Sequence, residues 1–127
     1  MDCIKDSIET SVKLKLFNNK EDSMKAHIYK SQLKKILLSK FKNVVNFNSN
    51  RLQDSAIKAY PISDRPRGAA DINSVKYYQR LIKKNKVITP IWLLLKNNKY
   101  ILLDGAHRIV ASYIELQKYI NCYVIEL

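Results

Sequence analysis

The sequence predicts an α/β class domain of the α+β kind, a small mixed sheet with helices, carrying an N-terminal helical extension. Three observations lead there. The 127 residues suit one domain with a modest extension and leave little room for two independent cores. Only two glycines and three prolines accompany 46% hydrophobic residues, which excludes low-complexity disorder and collagen-like repeats. The apolar pattern also changes along the chain, from helical steps before about Asn46 to alternating strand-like and helical runs after Ile57. The expected division is residues 1–50 as the extension and 51–127 as the domain proper.

Taken in order, Ser11 to Phe17 alternates Val12, Leu14 and Leu16 with Lys13 and Lys15, a period of two that predicts a short strand. From Glu21 to Phe41, Met24, Ile28, Leu33, Ile36, Leu37 and Phe41 recur at mostly three- and four-residue steps and predict one amphipathic helix. Asn46 to Asn50 is turn-like, Ile57 to Ile62 is a candidate strand, and Ser63 to Gly68 is a candidate loop. Asp71 or Asn73 is placed to cap a helix that runs to about Lys84 with Val75, Tyr78, Leu81 and Ile82 on its apolar side. Pro90 to Lys96 and Lys99 to Leu103 are two strands joined by Asn97-Asn98, a two-residue hairpin connection, and their apolar runs imply burial on both faces. A helix from about Ala106 to Gln117 and a strand from Tyr119 to Glu126 complete the chain.

Composition narrows the function. No apolar run approaches the roughly 18–20 residues of a membrane span, since the longest, Ile91 to Leu95, is strand-sized. The start, Met1-Asp2-Cys3-Ile4-Lys5-Asp6, has no apolar signal core, so an intracellular, cytoplasmic protein is expected. Cys3 and Cys122 match no metal-ligand spacing and are expected to be small buried hydrophobes rather than a disulfide pair. Lysine and arginine number 23 against 11 acidic residues, a net charge of +12 that points to an anionic partner, nucleic acid or a phosphorylated small molecule. Lys, Asn, Ile and Tyr all have A/T-rich codons, however, and an AT-rich genome, viral or otherwise, raises lysine without functional demand. The charge is spread along the chain rather than gathered in a tail.

The segment that carries chemistry is Asp104-Gly105-Ala106-His107-Arg108, where the strand ending at Leu103 meets the following helix. The first N–H groups of a helix have no intrahelical partner and sit at the positive end of its dipole, so an anion placed there collects several hydrogen bonds. Gly105 permits a turn and a close approach that a Cβ would block. His107 and Arg108 add side-chain donors, the guanidinium being able to engage two phosphate oxygens at once. The alternative leaves Gly105 as a plain turn, His107 as a surface residue, and Arg108 paired with Asp104 or Glu115. Trp92, Tyr77, Tyr78, Tyr100 and Tyr113 are aromatic candidates for base stacking, against their commoner use as core.

Together with Ile88-Thr89-Pro90-Ile91 ahead of the hairpin and Ile120 to Ile125 after the helix, this motif resembles the ParB/sulfiredoxin superfamily over roughly Ile57 to Leu127. That superfamily includes ParB-type partitioning CTPases, ATP-using sulfiredoxins and free-serine kinases with a similar Asp-Gly-His-His-Arg loop. The resemblance implies a ParB/sulfiredoxin-like fold and a nucleotide ligand, ATP, ADP or CTP, with its phosphates at Gly105, Ala106, His107 and Arg108. Asp64-Arg65-Pro66 followed by Asp71 and Lys76 is similar to the ATP-contacting Arg-Pro segment and helix lysine of sulfiredoxin, which implies Arg65 and Lys76 as further phosphate ligands, with spacing off by about one residue. Their alternative is solvated surface charge.

Two departures bear on activity. The sulfiredoxin cysteine falls at Ala106, so sulfinic acid reduction through a thiol at that site is not available. The acidic base of the free-serine kinases has only Asp64 or Asp71 to correspond to it, and the glutamate-arginine-arginine form of the partition proteins is absent. The leading expectation is a nucleotide-binding domain, with phosphotransfer involving Asp71, His107 and Mg²⁺ as the activity to look for. The runner-up is a non-catalytic nucleic-acid-binding module. A DNA-cutting enzyme ranks last, because the few carboxylates do not cluster.

Overall fold

The computed structural model describes residues 2–41 and 69–127, with side chains for 4–41 and 73–127. The turn expected at Asn46 to Asn50, the strand at Ile57 to Ile62, the loop at Ser63 to Gly68 and the boundary near residue 50 lie outside the described residues.

Helix α1 is Asp2–Lys13. Ser7, Ile8 and Ser11 recur at helical spacing and are all buried. The strand expected over Ser11 to Phe17 is therefore not formed. Its first residues finish α1, and the alternating apolar residues only flank the helix end. Lys15 there takes the left-handed region at φ 60. Its N–H reaches the Val12 carbonyl at 3.0 Å while that of Leu16 reaches Ser11 at 2.9 Å, a Schellman closure.

Helix α2 is Lys20–Tyr29, capped by Asn19, whose side chain accepts from the Asp22 N–H at 2.8 Å. The single helix expected over Glu21 to Phe41 stops here. The Lys30 N–H takes the Ala26 carbonyl at 2.9 Å and the Ser31 hydroxyl takes that of His27 at 2.6 Å, which satisfies the last turn. Ser31–Leu37 is instead strand β1, followed by a 3-10 turn over Leu38–Phe41.

Helix α3 is Ala69–Lys83. It starts before the expected caps, on two alanines, the strongest helix formers. Asp71 and Asn73 are thus third and fifth residues of the helix rather than its caps. The hairpin forms as expected, with β2 at Ile91–Lys96 and β3 at Lys99–Asp104. Asn97 and Asn98 both have positive φ, 53 and 62, the pair of values a type I′ turn requires. Helix α4 is Ala106–Ile114, shorter than expected because Leu116 turns left-handed at φ 56, and β4 is Tyr119–Glu126.

The four strands form one mixed sheet in the order β1-β4-β2-β3. The β2–β3 pair is antiparallel and the β2–β4 pair parallel, with Ile91 opposite Cys122 and Leu94 opposite Ile125. Central β2 is buried on both faces from Ile91 to Leu94, as its unbroken apolar run requires. The chain divides into two compact units, Met1–Lys35 with Pro90–Gly105 and Asn121–Leu127, and Ile36–Thr89 with Ala106–Ile120.

In the first unit, Ala26 packs with Trp92, Leu94, Leu103 and Ile125, and Ile4, Leu16 and Phe17 close over that face of the sheet. Inside it lies a buried polar chain whose proton order is fixed. Carbonyls only accept, so His27 Nδ1, 2.7 Å from the Ser23 carbonyl, carries the proton, and Nε2 accepts from the Ser7 hydroxyl at 2.7 Å. Ser11 gives its proton to the Ile8 carbonyl at 2.7 Å, so Ser23 donates to Ser11 at 2.6 Å. The His27 ring also lies 4.7 Å from that of Trp92, which stacks on Tyr123 at 4.7 Å. In the second unit, Val75 of α3 packs on Val110 and Ala111 of α4, flanked by Tyr78, Ile82 and Ile114.

Candidate functional site

The candidate loop is built by local chain geometry. Strand β3 ends at Asp104, Gly105 takes φ 123, and α4 begins at the next residue. A φ of that size is open to glycine and costly to any residue with a Cβ. The amino end of α4 consequently starts without a flanking side chain at Gly105, and its first N–H groups have no intrahelical carbonyl to bond.

His107 and Arg108 occupy the first turn. Burial, with the Arg108 charge adding to it, pushes the His107 imidazole from its usual 6.5 down to about 4, so it is neutral at pH 7. Arg108 is only 3% exposed. Its Nη1 donates to the Thr89 carbonyl at 2.9 Å, and its guanidinium lies 5.9 Å from the Tyr78 ring centroid, at the outer range of a cation–π contact. The guanidinium carries five donors in a rigid fork, the geometry that suits a phosphate or carboxylate. Glu115, one of the alternative partners for Arg108, takes the Gln79 amide at 3.0 Å and the Lys83 ammonium at 3.9 Å.

The other candidate residues divide. Lys76 is exposed on α3, next to Val75, whose side chain packs on α4. Of Asp71, only its place in the α3 backbone is described, and Arg65 lies outside the described residues. Among the described residues no three His, Cys, Asp or Glu side chains gather as a metal site. Cys122 is a buried free thiol whose pKa burial raises to about 12, so it is an inert hydrophobe at neutral pH. Trp92, an aromatic candidate for stacking, is core, whereas Tyr77 is 50% exposed. No helix among the described residues is long and apolar enough to cross a membrane.

Sequence reasoning missed Thr89 and Tyr78 as the lining of the Arg108 guanidinium. Thr89 contributes a backbone carbonyl, which carries no residue-type signal. Tyr78 was legible as an apolar position on α3 and as a candidate stacking aromatic, but not as a neighbour of Arg108.

The class that these elements define is an α+β protein with a four-stranded mixed sheet. No family model matches the chain, and no curated protein matches it significantly. Among solved structures, the chain is similar to sulfiredoxin from Arabidopsis thaliana, at 16% identity over 76% of this chain and 86% of that one, with a TM-score of 0.48. At that identity the likeness concerns fold alone and carries no functional residue across.

Proposed function

We propose that this chain is a nucleotide-binding domain that holds phosphates at the amino end of α4. The observation that supports the reading best is Gly105 at φ 123 immediately ahead of that helix, whose first N–H groups have no intrahelical carbonyl to bond and sit at the positive end of its dipole. The N–H groups of Gly105, Ala106 and His107 supply neutral donors, and the buried Arg108 supplies charge. An anion arriving beside Arg108 also offsets its charge, the smaller of the two causes that lower the His107 pKa after burial, so nucleotide binding raises that pKa.

Lys76 and Arg65 are the further cations in this reading, and Mg²⁺ would travel with the phosphates of ATP. Phosphotransfer needs a base as well. A histidine near pKa 4 is a weak one, which makes Asp71 the first base to test and His107 the second.

Calorimetric titration of ATP, ADP and CTP tests the proposal. Arg108→Ala should weaken binding roughly ten- to a hundredfold, the equivalent of about 1.5–3 kcal/mol for a charge-assisted bond, while Lys13→Ala on α1 changes it little. Gly105→Val should be at least as damaging as Arg108→Ala. Absence of binding at millimolar nucleotide, or equal losses from Arg108→Ala and Lys13→Ala in folded variants, would overturn the assignment.

A further inference from the structure

Helix α3 sorts its residues by charge as well as by hydropathy. At 100° per residue, Lys76, Tyr77, Arg80, Lys83 and Lys84, the last just past the helix end, fall within an arc of about 120°. Val75, Tyr78 and Ile82 lie on the opposite side and pack against α4. The outward residues are exposed, and Tyr77 keeps 50% of its surface accessible. No acidic residue shares their arc. Glu115 reaches only its margin, 3.9 Å from Lys83, while Lys76, Arg80 and Lys84 have no ion-pair partner among the described residues.

A lysine-rich genome does not by itself produce this segregation. Helix α2, equally lysine-bearing, interleaves Lys20 and Lys25 with Glu21 and Asp22 and closes an exposed Lys25–Glu21 pair at 3.4 Å. On α3 the positive residues run about 12 Å along the axis with only Lys83 facing a carboxylate, enough to follow several phosphates. At one edge of the arc, beside Lys84, the Tyr77 ring packs edge-to-face with that of Tyr78 at 5.2 Å, which fixes its orientation while leaving half of it open. The apolar face is occupied by α4, so the helix has no free apolar side to lay into a lipid surface.

We propose that the outward face of α3 binds single-stranded nucleic acid, its lysines and arginine following the phosphates and one base stacking on Tyr77. The choice of a single strand over a duplex rests on Tyr77, because stacking needs an unpaired base face. The surface is separate from the nucleotide reading of α4, apart from Lys76, which the test leaves unaltered.

Fluorescence anisotropy with a labelled oligo-dT of about 20 nucleotides, the same length of duplex and a poly-glutamate competitor tests this on the full chain. Binding to the single strand should fall steeply with salt, with a slope near −0.7 per phosphate contacted. Arg80→Glu with Lys84→Glu should cost at least about tenfold in affinity and flatten the slope by about 1.4, whereas Lys34→Glu with Lys35→Glu on β1 costs much less. Tyr77→Ala should weaken binding about five- to a hundredfold and Tyr77→Phe should restore it, the range expected for one stacked base. ATP titrations of the Arg80/Lys84 variant should be unchanged, which separates failure of this surface from failure of the α4 site. Equal losses from the α3 and β1 reversals, a silent Tyr77→Ala, tighter binding to duplex, or displacement by poly-glutamate as effective as by unlabelled oligonucleotide would each overturn the proposal.

Discussion

The two histidines of this chain are both held neutral mainly by burial, but their neighbours act on them in opposite directions. His27 is buried at 1% exposure, and desolvation lowers its pKa, with the bond to the Ser23 backbone opposing. Its described hydrogen bonds end on side chains and carbonyls of α1 and α2. His107 is half-buried at a helix start, and beside its own burial the largest influence is the charge of Arg108. A polar group closed on internal partners specifies a packing, while one poised against a buried cation at a helix amino end can respond to an anion. Burial alone therefore does not mark a site. The charge beside the group and the helix end on which it stands do.

The sharpest test of the contrast is stability. His27→Ala removes the acceptor of the Ser7 hydroxyl and opens a cavity beside Trp92, so it should cost about 3 kcal/mol, whereas His107→Ala should cost less than about 1 kcal/mol. Urea denaturation of the two variants measures it, and equal losses would place His107 among the structural residues too. Arg108→Ala comes next. It removes a side chain that is only 3% exposed together with its bond to Thr89, and should cost about 1–3 kcal/mol. Saturating ATP should stabilise the native chain in thermal melts and give Arg108→Ala far less protection.

The smallest effect is the pH dependence. Both imidazoles have folded pKa values below the unfolded value near 6.5, so below that pH the unfolded chain binds more protons than the folded one. Their contribution to stability is whole above 6.5 and is lost as pH falls, the His107 share between 6.5 and about 4. That share is reduced by solvent screening, so His107→Gln should flatten the profile only slightly. Added ATP should raise the imidazole titration of His107 in NMR spectra and leave that of His27 in place. Movement of both would break the distinction between them.

Much of the strand and helix order after Val75 was legible in the chain, because its signals are local. Asn97-Asn98 has the chemistry of a two-residue turn, the apolar run Ile91 to Leu94 calls for burial on both faces, and Gly105 marks the switch from strand to helix. The residues of the candidate loop could be named from the same signals.

What the tertiary structure alone decided lies where the pattern is ambiguous or the partner is remote. Apolar residues at steps of two, three and four among lysines fit a helix or a strand, and the sequence alone favoured the wrong one at both Ser11 to Phe17 and Ser31 to Leu37. For Ser31–Leu37 the choice was made by a place in the sheet beside β4, far away in sequence, which supplies backbone partners no local pattern can announce. The burial of Ser7 and Ser11 was equally hidden, because three small hydroxyls, of Ser7, Ser11 and Ser23, become core only when α1 and α2 bring them together around one imidazole. Arg108 shows the same limit at the site, since its residue type was plain from the sequence but its engagement with Thr89 and Tyr78 exists only once α3, the segment ahead of β2 and α4 have packed.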